Sequence, residues 1–309
     1  MVFVNYFVMC LIFGTTFLAI KVGIDAGAPP FFSAGVRFFL AGLVLFAVMA
    51  WKKQASLSIL LRKEMAITGI CLTYGVFATL YWAEQYLSSG IAAVLSATAP
   101  LMVMLLQTGL SRQKLSASSW AGCLIGFVGV VLLLLPGLTF SISMLWVAGC
   151  VAVLFGQLFY AAGAVYSRHV SQQFKEVSPI TLNAAQMMYG GILLLLTSAF
   201  TEQVHMEFLL SSQSVFALLY LTFVGSMMGH TIFYWLVAKT NPLFPSTWLY
   251  ISPLIALALG VALYQEPLYW SSLAGGIAII VGIVMINLKT LRELVAKKTP
   301  LQHAESPTK

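Results

Sequence analysis

The chain has 309 residues, 60% of them apolar and only 8% charged, with a formal net charge of +7 and a mean hydropathy of +0.95. A water-soluble domain carries about a quarter charged residues, so a soluble fold is excluded. The positive balance says nothing about nucleic acid until its distribution is known.

A helix crossing the hydrocarbon core of a bilayer takes about 20 mostly apolar residues, and such runs fill nearly the whole chain. In order they cover about 4–24, 31–51, 65–86, 90–110, 118–136, 144–166, 179–200, 213–238, 244–264 and 268–288. The first run lacks the basic start and small-residue cleavage site of a signal peptide. It ends on Lys21 and Asp25, spaced i, i+4 and read as an exposed pair. The second, which starts at Pro30, carries Arg37 about 10 Å further in by helical rise. An Arg at that depth costs roughly 2.5–3.5 kcal/mol on insertion scales and is a functional hypothesis by default. The third places Tyr74, Tyr81 and Gln85 on one face, flanked by Trp82, and ends on Glu84. Glu84 reads either as a water-interface residue or as a proton-coupling candidate.

The fourth run lines Ser96, Pro100, Val103 and Gln107 along one stripe, and the fifth holds Gly122, Gly126 and Gly129. Small residues at this spacing let membrane helices approach closely. Gln157 and Tyr160 lie in the sixth run, Asn183 and Gln186 in the seventh. The eighth spaces Ser226, His230 and Tyr234 at i, i+4, i+8. Its imidazole would titrate near neutral pH in water, which makes His230 a second proton-coupling candidate. Pro253 in the ninth matches Pro100, and both are read as hinges, since each proline removes a helix hydrogen bond. All four cysteines, Cys10, Cys71, Cys123 and Cys150, fall inside helical runs without ligand spacing, so neither a metal nor another cofactor is expected. There is no GxxxxGK[ST], HExxH or GxSxG motif, which argues against a nucleotide-driven pump or an enzyme.

Fourteen of the sixteen Lys and Arg residues fall on one side when the loops are numbered alternately, from Lys52 to the tail residues Lys289, Arg292, Lys297, Lys298 and Lys309. The other two, Lys21 and Arg37, lie within helices. The positive-inside rule then places both termini in the cytoplasm, and the basic tail reads as an orientation signal in contact with lipid headgroups rather than nucleic acid.

The sequence also repeats. A shift of 153 residues brings Tyr81-Trp82 onto Tyr234-Trp235, Pro100 onto Pro253, Gly122 onto Gly275 and Gly129 onto Gly282. A shift of 149 brings Pro30 onto Pro179, Gly42 onto Gly191 and Arg37 onto Gln186. Five helices per repeat is an odd number, so the second half crosses the membrane in the opposite sense. The loop after the second helix is basic, whereas its counterpart, 201–213, has no Lys or Arg. The expectation is an all-α membrane protein of ten transmembrane helices in two inverted five-helix repeats, 1–137 and 144–288, followed by a basic tail, 289–309. Inverted repeats of this kind build secondary transporters with a midplane substrate site.

"IFGTTFLAIKVG", "PPFFSAGVRFFLAG", "EQYLSSGIAAVLSATAPLMVML" and the closing "LYQEPLYWSSLAGGIAIIVGIVMINL" resemble EamA-type members of the drug/metabolite transporter superfamily. The resemblance spans residues 10–288, with one departure: Gln113 stands where Glu266 begins the motif of the second repeat. It implies a ten-helix carrier in the bacterial cytoplasmic membrane, often an exporter of amino acids or other small metabolites. The function expected is therefore alternating-access transport of a small amphipathic solute, with an importer, an exchanger or a non-transporting scaffold as alternatives. Candidate substrate contacts are Arg37, Tyr74, Tyr81, Trp82, Gln157, Tyr160, Gln186, His230 and Tyr234. The expected partners are the solute and membrane lipid; oligomeric state is open, a homodimer included.

Overall fold

The computed structural model describes residues 1–109, 116–137, 143–255 and 269–296, and these are helical with no β-strand among them. In chain order the helices are α1 (Val2–Asp25), α2 (Pro30–Trp51), α3 (Lys63–Ala83), α4 (Ser89–Gly109) and α5 (Ala117–Leu134). They continue as α6 (Met144–Gln173), α7 (Pro179–Thr201), α8 (Ser212–Lys239), the short α9 (Leu243–Ser246) and α10 (Trp270–Ala296). Eight of them are long and apolar enough to cross a membrane, and α5 is a shorter apolar helix. The expected ninth span is helical over 248–255 after a break at Thr247, and its remainder lies outside the described residues. A count of ten spans is therefore not reached among the described residues. Gln113 and Glu266 also lie outside them.

Helices are the form in which a chain buried in lipid satisfies its own N–H and C=O groups. The outward face is apolar, with Leu18, Val151, Phe155, Leu196, Ile277 and Ile280 exposed, as contact with lipid tails requires. Several helices begin at a serine whose hydroxyl accepts a backbone N–H, among them Ser88, Ser116, Ser143 and Ser178. The start of α2 has no such cap of its own. Glu202, at the end of α7, accepts from Phe31 N at 2.8 Å and Phe32 N at 2.9 Å. That carboxylate fixes the end of α2 about two turns before Arg37.

Two helix pairs form the frame, both antiparallel. Along α2 and α7, a Cβ added at Gly42 would lie 2.8 Å from Met188 Cγ, and one at Gly191 would lie 2.5 Å from Phe39 N. Along α5 and α10, a Cβ at Gly122 would lie 2.7 Å from Gly282 O, and one at Gly129 would lie 2.8 Å from Gly275 O. Both seams are reciprocal: the shift of 149 residues turns the first pair of contacts into each other, and the shift of 153 does the same for the second.

Four helices are interrupted, the first of them α1 at Thr15. α4 breaks at Ala97–Thr98, just before Pro100, whose ring excludes the bond to Ser96 O. α3 and α8 each contain a π-helical stretch, Ile70–Gly75 and Leu221–His230, and the shift of 153 places the first inside the second. Such stretches widen the helix and redirect its side chains, and they are frequent at functional sites.

Candidate functional site

The interrupted helices α1, α3, α4 and α8, together with α2, α6 and the residues after α9, surround a central cavity. Its wall is mostly apolar, with the aromatic side chains Phe13, Phe17, Phe77, Tyr160, Phe233 and Trp248. The polar groups among them are Arg37, Thr16, Ser96, Gln157 and His230. The volume open to the centres of water molecules is about 50 Å³, against roughly 10–15 Å³ for one water. The cavity is therefore small: it has room for a few waters, and an organic solute needs it widened.

Arg37 is 1% exposed. Its Nε donates to Ser226 Oγ at 2.7 Å and its Nη1 to the Tyr81 hydroxyl at 3.1 Å. The guanidinium carbon lies 4.6 Å from the centroid of Phe38 and 5.2 Å from that of Phe77. Cation–π contacts of this kind contribute about 0.5–2 kcal/mol each. Ser226 and its neighbour Gly225 belong to the π stretch of α8. A Cβ at position 225 would stand 3.0 Å from Arg37 Nη2, so the glycine makes room for the guanidinium. Among the described residues no carboxylate lies within 4 Å of Arg37, and the ion pair present there is Lys21–Asp25 at 2.9 Å. A guanidinium has five N–H donors; two are taken by hydroxyls, and among the described residues the charge is left without a counterion.

The matched positions in the other half make the same contact with different chemistry. Thr73, in the π stretch of α3, donates to Gln186 Oε1 at 2.8 Å, and the two shifts carry Arg37 to Gln186 and Thr73 to Ser226. Gln186 passes the bond on to Asn183 at 3.0 Å, and Asn183 to Thr231 at 3.1 Å. Phe77 and its match His230 face each other across the cavity, ring centroids 5.6 Å apart. The His230 ring also meets Phe13 and Phe38 edge-on.

Of the candidate substrate contacts, Arg37, Gln157, Tyr160 and His230 line the cavity. Gln157 Nε2 donates to Ser96 Oγ at 3.3 Å, joining α6 to α4 at the break. The Tyr160 hydroxyl donates to Ser246 and accepts from Trp248 Nε1, both at 3.3 Å. Tyr81 acts on the cavity through Arg37. Tyr74, Trp82, Gln186 and Tyr234 are placed off its lining: Tyr74 accepts from Thr197 at 3.1 Å, Trp82 packs on Tyr86, and Tyr234 is buried beside Phe233. Glu84 is not at a water interface but fully enclosed, 0% exposed. Sequence reasoning passed over Phe13, Phe17, Phe77 and Phe233. In a chain with 21 phenylalanines, nothing local marks the few that face inward.

A sequence model described as the EamA-like transporter family matches residues 2–135 and again 147–288. The chain is 27% identical over 288 residues to an uncharacterized inner membrane transporter, YedA, of Escherichia coli K12, covering 91% of this chain and 89% of that one. It is 27% identical to Protein PagO of Salmonella typhimurium, covering 96% and 93%, and 26% identical to an uncharacterized transporter, YoaV, of Bacillus subtilis, covering 89% and 92%. A solved crystal structure superposes with a TM-score of 0.73 at 20% identity, covering 94% of this chain and 98% of that one.

Proposed function

The chain belongs to the EamA-like transporter family, and from that premise we propose that it is a secondary carrier for a small, amphipathic, carboxylate-bearing metabolite such as an amino acid. It works by alternating access between two inverted five-helix halves, 1–137 and 144–288, in the export direction. It resides in the bacterial cytoplasmic membrane with both termini inside, a placement supported by the distribution of Lys and Arg and by relatives named inner membrane transporters. Reciprocal antiparallel contacts across α2–α7 and α5–α10 support the inverted halves.

The observation that carries the reading is Arg37, a buried cation without a counterion among the described residues, at the wall of a small cavity lined in part by aromatic side chains. A carboxylate entering the cavity would take up the remaining guanidinium donors, a charge-assisted bond of about 1.5–3 kcal/mol. The aromatic wall would cover the rest of the solute. Because the cavity is too small for that solute as it stands, binding is tied to movement of the helices around it. The π stretches of α3 and α8 and the break before Pro100 are where their backbone hydrogen bonding is already irregular.

Counterflow uptake into liposomes tests this, with a panel of labelled amino acids and aryl carboxylates and with Arg37→Gln alongside. Gln is what the matched position 186 already holds, so the variant keeps a hydrogen bond to Ser226 while removing the charge. Saturable uptake of a carboxylate, lost at least tenfold in Arg37→Gln at an unchanged size-exclusion profile, is the expected result. Uptake equally saturable in the variant would overturn the role of Arg37, and no uptake of any panel compound by folded wild-type protein would overturn the proposed cargo class.

A further inference from the structure

Glu84 follows the last turn of α3 and is 0% exposed, and neither of its carboxyl oxygens has a hydrogen-bond partner among the described residues. The other buried carboxylate there, Glu64 at the opposite end of α3, accepts from Gln173 at 3.3 Å. The charged groups around Glu84 come from two helices. From α1, Lys21 Nζ donates to the backbone carbonyl of Glu84 at 3.1 Å while pairing with Asp25 at 2.9 Å. From α2, Arg37 is turned to Ser226 and to the Tyr81 hydroxyl instead of Glu84. α4 carries no ionisable side chain. Between Gly149, packed on Leu87, and Gly156, packed on Thr79, α6 offers the thiol of Cys150 alone.

An enclosed carboxylate without a donor loses solvation worth several kcal/mol, whereas the uncharged acid gives up far less. In this conformation Glu84 is therefore carried as the acid. Its ionised form needs a donor, and Lys21, which already rests on the same residue's carbonyl, can turn to supply one. Lys21 is 27% exposed and Asp25 60%, so this pair lies between Glu84 and water.

We propose that Glu84 is a proton-exchange site of the carrier, opened by a change of partner at Lys21. When the Glu84 O–H bond breaks, the proton leaves to water on the Asp25 side. Lys21 moves from Asp25 to the new carboxylate, and Asp25 is left solvated, where its charge costs little. Reprotonation reverses each step, and no other bond is made or broken. The proposal rests on the carrier reading above, but it concerns a group outside the cavity lining, so it can fail separately.

Infrared difference spectroscopy of the full-length protein in liposomes tests it without any transported compound. The wild type should show a carboxylic-acid C=O band at neutral pH that shifts in D₂O, disappears as the pH is raised and is missing in Glu84→Gln. Asp25→Asn frees Lys21 for Glu84 and should weaken the band at neutral pH. Lys21→Gln removes the donor and should preserve the band to a pH higher by about one unit or more. A wild type without the band, or one whose band persists in Glu84→Gln or ignores both pH and D₂O, would overturn the proposal. So would a band unchanged by both Asp25→Asn and Lys21→Gln. A counterflow panel that fails while the band behaves as described would count against the carrier reading alone.

Discussion

The α5–α10 seam and the central cavity are built from the same repeat but treat it in opposite ways. At the seam both halves keep the same residues: Gly122 and Gly129 meet Gly282 and Gly275, backbones touch, and Ser118, Ser119 and Ser272 donate to backbone carbonyls of the facing helix. At the cavity the halves keep the contact and change the chemistry. Arg37 on Ser226 answers Gln186 on Thr73, and His230 answers Phe77. Close packing depends on shape, which symmetry can duplicate at no cost. A second cation at the matched position would repel the first at low dielectric.

Four substitutions would break or sharpen that contrast. Gly275→Leu should have the largest effect, because even its Cβ would stand 2.5 Å from Gly129 O. A collision with backbone cannot be relieved by a rotamer change, so monodisperse protein should be lost on size exclusion. Arg37→Gln should do the reverse, retaining fold and melting temperature while counterflow falls at least tenfold. Gly225→Ala adds one methyl 3.0 Å from Arg37 Nη2 and should displace the guanidinium slightly. A several-fold rise in the KM of uptake, with little change in melting temperature, is the expected reading. Thr73→Val removes the donor to Gln186 Oε1 and leaves a buried acceptor unpaired, at about 1–3 kcal/mol. It should lower the melting temperature by a few degrees and leave counterflow unchanged, since Thr73 does not line the cavity. Equal effects of Thr73→Val and Arg37→Gln on uptake would erase the distinction between the halves.

Arg37 was conspicuous in the sequence because a charge in an apolar run has few explanations. The Lys21–Asp25 pair was legible from its spacing, and the structure places the two 2.9 Å apart. Glu84 was not legible: it sits at the end of a predicted span, where sequence cannot distinguish a wet end from a covered one. Gln186 drew attention as a large polar residue at depth, and its contacts make it a link between α3, α7 and α8 instead of part of the cavity lining. The matched π stretches left no periodicity signal, since an almost wholly apolar helix has no polar stripe for the extra residue per turn to displace.

The sequence by itself determined that this is a multi-pass helical membrane protein and that its glycines, prolines and aromatics recur at a fixed spacing. Both follow from local quantities, the length of apolar runs and the positions of glycine and proline. Only the tertiary structure decided which of its many aromatic side chains enclose the cavity, that Arg37 is held by hydroxyls without a counterion among the described residues, and that Glu84 is sealed from water. Those outcomes depend on which helix faces meet. In a chain apolar on nearly every face, packing between elements chooses them, not the pattern within any one.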